Sequence, residues 1–359
     1  MNLKKIYSTK MFTATAIRHD LIFKQASGTS RGVLTKKTSW FIKIWFDDEP
    51  EMFGVGECGL LKGLSFDDKE GYEDKLFDVC TNINDYINNF HTSLNEFPSI
   101  RFGLEMALMD IRGLGQRLFY KTDFTAKKAG IPINGLIWMG TEAFMQQQIE
   151  EKLEAGFDCI KMKIGAINFD SEYEIIKNLR QRFAKETLEI RVDANGAFEA
   201  NEALEKLELL SKLDLHSIEQ PIKQGQITEM TSLCAKTPLA IALDEELIGI
   251  HELNAKKELL ETIKPQYIIL KPSLVGGFKA SEEWIILAKK MGIDWWATSA
   301  LESNIGLNAI AQWTASLDTT KYQGLGTGSL YTNNITAPLE IRKGHLWMND
   351  DVFDMKMFF

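Results

Sequence analysis

From Ile133 onward, short apolar runs alternate with longer amphipathic stretches. Strands are predicted near 133–138, 158–164, 188–193, 215–219, 239–244, 267–271, 294–298 and 322–325, with helix-period segments between them. Such a succession predicts parallel pairing and closure into an α/β barrel. Gly156, after TEAFMQQQIEEKLEA, and Gly292, after AKKM, stand where a helix-ending glycine is favoured. Before residue 130 the pattern differs. Strand-like TSWFIKIWF (38–46) and EMFGVGE (51–57) precede helix-like stretches at 67–90 and 99–117, the order of an α+β module. The expected division is therefore a capping module over 1–130, a barrel over 131–334, and a tail over 335–359 that packs back on the cap.

Charged residues end these apolar runs: Lys161 and Lys163, then Asp193, Glu219, Asp244 and Lys271. The intervals are 193−163 = 30, 219−193 = 26, 244−219 = 25 and 271−244 = 27, about one βα unit each. In a barrel, the C-terminal ends of all strands open on one face, where active sites lie. Strand alternation turns Lys161 and Lys163 inward together and sends Ile160, Met162 and Ile164 toward the helices. The same count puts Arg191 with Asp193, Ser217 with Glu219, Ala240 and Ala242 with Asp244, and Ile269 with Lys271. One charge at a strand end is readily a solvated terminus; six in phase predict a shared pocket.

Three carboxylates without histidine or cysteine make an all-oxygen site suited to Mg²⁺, with Mn²⁺ as a substitute, rather than to zinc. Beside such a cation, a lysine suits removal of a proton α to a carboxylate. A neighbouring lysine and a cation both disfavour its ammonium form, so its pKa is expected to fall.

Lys161-Met162-Lys163, Val192-Asp193-Ala194-Asn195, Glu219-Gln220-Pro221, Asp244-Glu245 and Lys271-Pro272 resemble the enolase superfamily, in its muconate-lactonizing subgroup. The resemblance spans nearly the whole chain. It implies a modified TIM barrel, (β/α)₇β, with an N-terminal α+β capping domain completed by the C-terminal tail. It also implies that Asp193, Glu219 and Asp244 ligate Mg²⁺ and that Lys163 and Lys271 flank the substrate, with Lys161 assisting Lys163. GVGECGLLKGLSFDD (54–68), SALESNIGLNAIAQW (299–313) and GLGTGSLYTNN (324–334) resemble the lyases of that subgroup, which dehydrate a succinyl-hydroxycyclohexadiene carboxylate to its aromatic product. Dipeptide epimerases and N-acylamino acid racemases, with the same two lysines, are the alternative. A metal-free Schiff-base aldolase and a non-catalytic binding barrel are more remote.

Other residues are placed around this set. Arg191 is expected to orient the metal carboxylates from below, and Asn195 to support them. Ser299, Glu302 and Ser303 are candidates for a substrate carboxylate, with Ser303 equally placed to cap a helix. Gly326, between Gly324 and Gly328, would admit an anion to the backbone or serve a positive-φ turn. Gly28, Ser30, Arg31 and Gly32 resemble a lid loop. Asp110 reads as structural and Cys159 as filler beneath Lys161.

Composition narrows the partners. Forty-one basic against 50 acidic residues give −9, with no dense basic cluster, so a small carboxylate substrate is expected and nucleic acid is not. The four cysteines form no metal or disulfide spacing. MNLKKIYSTKMF lacks a signal-peptide core and no run is long enough to span a membrane, which together predict a cytoplasmic protein. Oligomeric state is left open.

Overall fold

The computed structural model describes residues 11–29, 32–317 and 319–358. β1 (Phe12–Thr29), β2 (Gly32–Phe46) and β3 (Glu49–Cys58) form an antiparallel meander in that order. The apolar pattern predicts strand only from residue 38 onward. β1 is an edge strand with few large apolar side chains, so its pattern is weak. The helix Pro98–Arg112 lies against the sheet so closely that a Cβ on Gly56 would meet the Gly103 carbonyl oxygen at 1.8 Å. Glycine is required there. This helix stops at Arg112 rather than at 117, because Leu114 and Gly115 turn left-handed. The stretch expected as one helix over 67–90 breaks into Tyr72–Thr81 and shorter pieces at Asn82 and Asn89.

Seven parallel strands follow in strict sequential neighbour order: Gly135–Ile137, Cys159–Lys163, Glu189–Asp193, Ser217–Glu219, Ile241–Leu243, Tyr267–Leu270 and Asp294–Ala297. The eighth expected strand is reduced to two parallel bridges, Gln323 with Ile133 and Gly324 with Thr298, which join the ends of the sheet. The barrel therefore closes through residues 323–324. Gly156 and Gly292 take positive φ at the helix ends, as their spacing predicts.

Two buried clusters show strand alternation at work. Ile160, Met162, Ile190, Val192, Ile218, Leu243, Ile268 and Trp295 join the large core between sheet and helices. Ala242, Ile269 and Trp296 form a separate cluster inside the barrel. Trp296 thus occupies the room that small Ala242 leaves.

The tail reaches back. The hairpin Leu339–Arg342 and His345–Met348 pairs with Ile131–Pro132, Lys43 Nζ donates to the Phe358 carbonyl at 2.6 Å, and the Phe358 ring meets Phe41 edge-on at 5.5 Å. Among the described residues, no helix is long and apolar enough to cross a membrane.

Candidate active site at the barrel mouth

Parallel register sets the inner face in layers. Lys161 pairs in register with Arg191, Lys163 with Asp193, and Asp193 with Glu219. Asp244 and Lys271 each follow the last residue of their strands. All six charged residues predicted from spacing are brought together. Lys161 Nζ lies 3.0 Å from Asp193 Oδ2 and 2.5 Å from Glu219 Oε2. Lys163 Nζ lies 3.0 Å from Asp193 Oδ2 and donates to Asn195 Oδ1 at 2.5 Å. Lys271 Nζ pairs with Asp244 Oδ2 and stands 3.8 Å from Glu219 Oε1. Lys163 and Lys271 come from either end of the run of strands that carries the three carboxylates.

These contacts fix the protonation tendencies. Burial works to lower Lys161 and Lys271, but Asp193 and Glu219 beside the first, and Asp244 and Glu219 beside the second, outweigh it and raise both. Burial works to raise Asp193, and Lys161, Lys163 and Lys271 pull it well below the usual carboxylate range. The expected fall in lysine pKa is thus reversed for Lys161 and Lys271 among the protein's own groups, because each ammonium faces carboxylates as well as another lysine.

As placed, no three His, Cys, Asp or Glu side chains among the described residues are grouped to hold an ion, since the lysines interleave the carboxylates. Even so, Glu219 Oε1 is buried without a hydrogen-bond partner, and all three carboxylates are oxygen ligands at one barrel end. Hard oxygen donors with one acceptor unfilled suit a hard cation.

Backbone strain frames the set. Asn195 and Gln220, each next to or near a carboxylate strand end, take left-handed φ of 45° and 39°. Asn195 earns its place in two directions, through Lys163 and through a 3.0 Å bond from Nδ2 to Glu245 Oε1. Buried Gln220 accepts from the Asp244 N–H at 3.1 Å and donates to Glu246 at 3.0 Å, holding the 244–246 turn. The motif Glu219-Gln220-Pro221 predicts no role for Gln220; a long polar residue between a metal-type carboxylate and proline is the available signal.

A cavity of about 420 Å³ opens over these groups. Lys161, Lys163, Asp193, Asn195 and Lys271 line its floor, Thr298, Ser299, Gly324, Gly326 and Thr327 one wall, and Lys24, Lys62 and Trp138 other parts of it. Ser299 donates to Glu302 Oε2 at 2.6 Å and accepts from Thr327 at 2.7 Å, so its hydroxyl is already committed. Glu302 is fully buried and also accepts from Ser273 at 2.5 Å. Ser303 caps the helix Asn304–Ser316 and donates to Glu57 at 2.6 Å. Glu302 and Ser303 therefore brace the wall rather than line the cavity. Arg191 bonds Glu189 at 2.6 Å and the Tyr322 carbonyl at 3.0 Å, its guanidinium 4.1 Å from the Trp296 ring centroid. It plugs the barrel below the site without a bond to the three carboxylates, contrary to its expected orienting role. None of Gly324, Gly326 and Gly328 has positive φ. A Cβ on Gly324 would strike Thr298 and one on Gly328 would strike Asn304, whereas one on Gly326 would make only ordinary van der Waals contacts, the nearest with Ile133 Cδ1 at 3.6 Å. Gly28 bridges to Met139 and Gly32 pairs with Thr29 at the β1–β2 hairpin, while Ser30 and Arg31 lie outside the described residues. Asp110 accepts from the Val55 and Arg117 N–H groups and ties helix to sheet, and Cys159 is buried beneath Lys161.

Residues 144–352 match the model of the enolase C-terminal domain-like family. The chain is 48% identical over 360 aligned positions to the o-succinylbenzoate synthase of Desulfotalea psychrophila, covering 92% of this chain and 97% of that protein. The crystal structure of MenC from the same organism superposes with a TM-score of 0.80 at 44% identity, covering 94% of this chain and 99% of that one. A muconate lactonizing enzyme from Pseudomonas fluorescens shares the fold at 20% identity, with a TM-score of 0.81 over 97% of this chain and 98% of that one.

Proposed function

This chain belongs to the enolase superfamily, and from that premise we propose that it is an o-succinylbenzoate synthase, a lyase of menaquinone biosynthesis acting in the cytoplasm. The reaction is syn dehydration of 2-succinyl-6-hydroxy-2,4-cyclohexadiene-1-carboxylate to o-succinylbenzoate. The observation that carries the reading is the 48% identity over 92% of this chain to the o-succinylbenzoate synthase of Desulfotalea psychrophila, with Lys163 and Lys271 at opposite ends of the carboxylate run over a cavity of about 420 Å³. Residues 1–130 with 335–359 serve as the cap, and 131–334 as the catalytic barrel.

Lys163 is the base. Its Nζ, held by Asp193 Oδ2 and Asn195 Oδ1, takes the proton α to the ring carboxylate when it is the free amine. The same Nζ then returns that proton to the departing hydroxyl on the same face, so that water leaves and the ring becomes aromatic. Lys271, raised by its carboxylate neighbours, remains an ammonium against the ring and contributes electrostatic and cation–π stabilisation. Lys161, between Asp193 and Glu219, fixes those two side chains relative to Lys163. Asp193, Glu219 and Asp244 would hold Mg²⁺, or Mn²⁺ in its place, which when bound offsets the charge developing on the substrate carboxylate.

An ultraviolet assay of purified protein with the cyclohexadiene substrate tests this, first with Mg²⁺ and then with excess chelator. Rapid conversion that the chelator abolishes is expected. No conversion, with turnover of dipeptides or N-acylamino acids instead, would move the function to epimerisation on the same two lysines.

A further inference from the structure

The proposed substrate carries two carboxylates, and the floor of the cavity accounts for only one. Lys161, Lys163 and Lys271 are each already paired with Asp193, Glu219 or Asp244. The succinyl arm ends in a second carboxylate, away from the ring. Apart from those three lysines, the cations lining the cavity among the described residues are Lys24, Lys62 and Lys152. Lys152 packs on Gly135 at the end of its strand opposite the mouth, with Glu151 beside it on the cavity wall. That leaves Lys24 and Lys62.

Both are exposed, and neither has a carboxylate within ion-pair distance among the described residues. Their segments are tied at neighbouring residues, Lys24 lying where β1 leaves register with β2 between Ile22 and Ser27. Lys24 follows Phe23, which bridges to Tyr331, and the Ile22 carbonyl accepts from the Thr332 N–H at 2.9 Å. Lys62 sits in a turn in which the Leu61 N–H donates to Ser65 Oγ at 2.8 Å and the Gly63 N–H to Asp68 at 2.6 Å. Two unpaired cations on pinned segments of the cap thus share one cavity with the barrel lysines.

We propose that Lys24 and Lys62 form a cationic rim that binds the carboxylate of the succinyl arm, selecting dicarboxylates over monocarboxylates. This rests on the synthase reading above. The rim also draws a dianionic substrate toward a protein whose net charge is −9. Neither lysine takes part in the chemical step.

The test is the double variant Lys24→Met with Lys62→Met, which keeps side-chain length and removes charge, beside both single variants, all with Mg²⁺ present. Calorimetry compares o-succinylbenzoate with 2-butanoylbenzoate, which lacks the distal carboxylate, and steady-state assays follow turnover. Each single variant is expected to lose about threefold in o-succinylbenzoate affinity and the pair about tenfold. Binding of 2-butanoylbenzoate should stay unchanged and kcat should hold within about twofold while KM rises. Unchanged discrimination between the two ligands in the double variant, or an equal loss for both, overturns the rim while the synthase reading stands. Absence of turnover by the unmodified protein overturns the synthase reading and the rim with it.

Discussion

Buried carboxylates occur in two regions of this molecule, and their partners differ in kind. At the barrel mouth, Asp193, Glu219 and Asp244 are bonded mainly by lysine ammonium groups at the ends of flexible side chains. At the seam between cap and barrel, Glu57 and Glu105 are bonded by backbone. Glu57 accepts from the Ser303 N–H at 2.9 Å, the Gly306 N–H at 3.0 Å, Ser303 Oγ at 2.6 Å and Ser39 Oγ at 2.8 Å, with Lys37 at 3.6 Å. Glu105 accepts from the Phe278 N–H at 2.6 Å and the Lys279 N–H at 3.2 Å. Each seam carboxylate thus sits on the positive end of a barrel helix, Asn304–Ser316 or Phe278–Lys290. Helix N–H groups cannot swing away, whereas lysine side chains can reorient around a cation or a substrate. Burial alone therefore does not mark a catalytic charge; the mobility of its partner does.

The largest effect should come from breaking the mouth. Lys163→Ala is expected to lower turnover by about 10³-fold or more, since positioned proton transfer is worth roughly 10² to 10⁴. Mg²⁺ affinity, measured by calorimetry, should stay close to that of the parent, while Glu219→Gln should weaken it. A Lys163→Ala enzyme within tenfold of the parental rate would remove this lysine from the chemistry.

The seam should respond in stability instead. Glu57→Ala removes the acceptor for two helix N–H groups and two hydroxyls and strands buried Lys37, a loss of about 3–5 kcal/mol. Urea unfolding would read it, with turnover of the folded fraction affected far less than in Lys163→Ala. Equal stability of variant and parent would show the staple to be idle.

The mouth was far more legible in the sequence than the seam. A charge that ends an apolar run at a regular interval is a one-dimensional signal, because a parallel barrel repeats once per βα unit and puts strand ends on one face. Lys163, Asp193, Glu219, Asp244 and Lys271 could all be found this way. Glu57 and Glu105 join residues 246 and 173 positions apart, and nothing local to either announces the helix it will meet. Glu302 and Ser303 are legible as neighbours of the site, and Ser303 as a helix cap, but only the fold shows that Glu57 holds Ser303 and that Ser273 and Ser299 occupy Glu302. Arg191 was placed on the correct face, but its layer below the carboxylates follows from register and from Trp296 filling the barrel. β1 escaped because an edge strand with one exposed face carries little apolar pattern.

Acid and base should separate the two regions further. Burial pushes the Glu105 carboxyl from 4.5 up to about 7, against the Lys279 and Phe278 N–H groups and Arg101. The folded protein then keeps a proton that the unfolded chain releases between those values. Stability from this group is therefore greatest below about pH 4.5 and declines until about pH 7. Glu105→Gln, which cannot ionise, should flatten that decline by at most roughly 3 kcal/mol. Urea unfolding at pH 5 and pH 8 gives the difference; identical slopes in parent and variant would mean that Glu105 ionises freely in the fold.

The smallest effect on stability is expected at the mouth's open wall, where Gly326 contrasts with Gly277 at the seam. Gly277 takes φ 99°, and a Cβ there would meet Glu105 Oε2 at 2.1 Å. Gly277→Ala must strain the backbone and displace the staple, costing about 1–3 kcal/mol. Gly326 has ordinary φ, and its nearest neighbour to an added Cβ is Ile133 Cδ1 at 3.6 Å. Gly326→Ala should therefore change unfolding free energy by less than about 0.5 kcal/mol. Because Gly326 lines the cavity, an added methyl group is expected to narrow that wall, so KM should rise while the melting temperature holds. If Gly326→Ala destabilised the fold as much as Gly277→Ala, the wall would be part of the rigid seam, and the division between a fixed seam and an adaptable mouth would fail at that point.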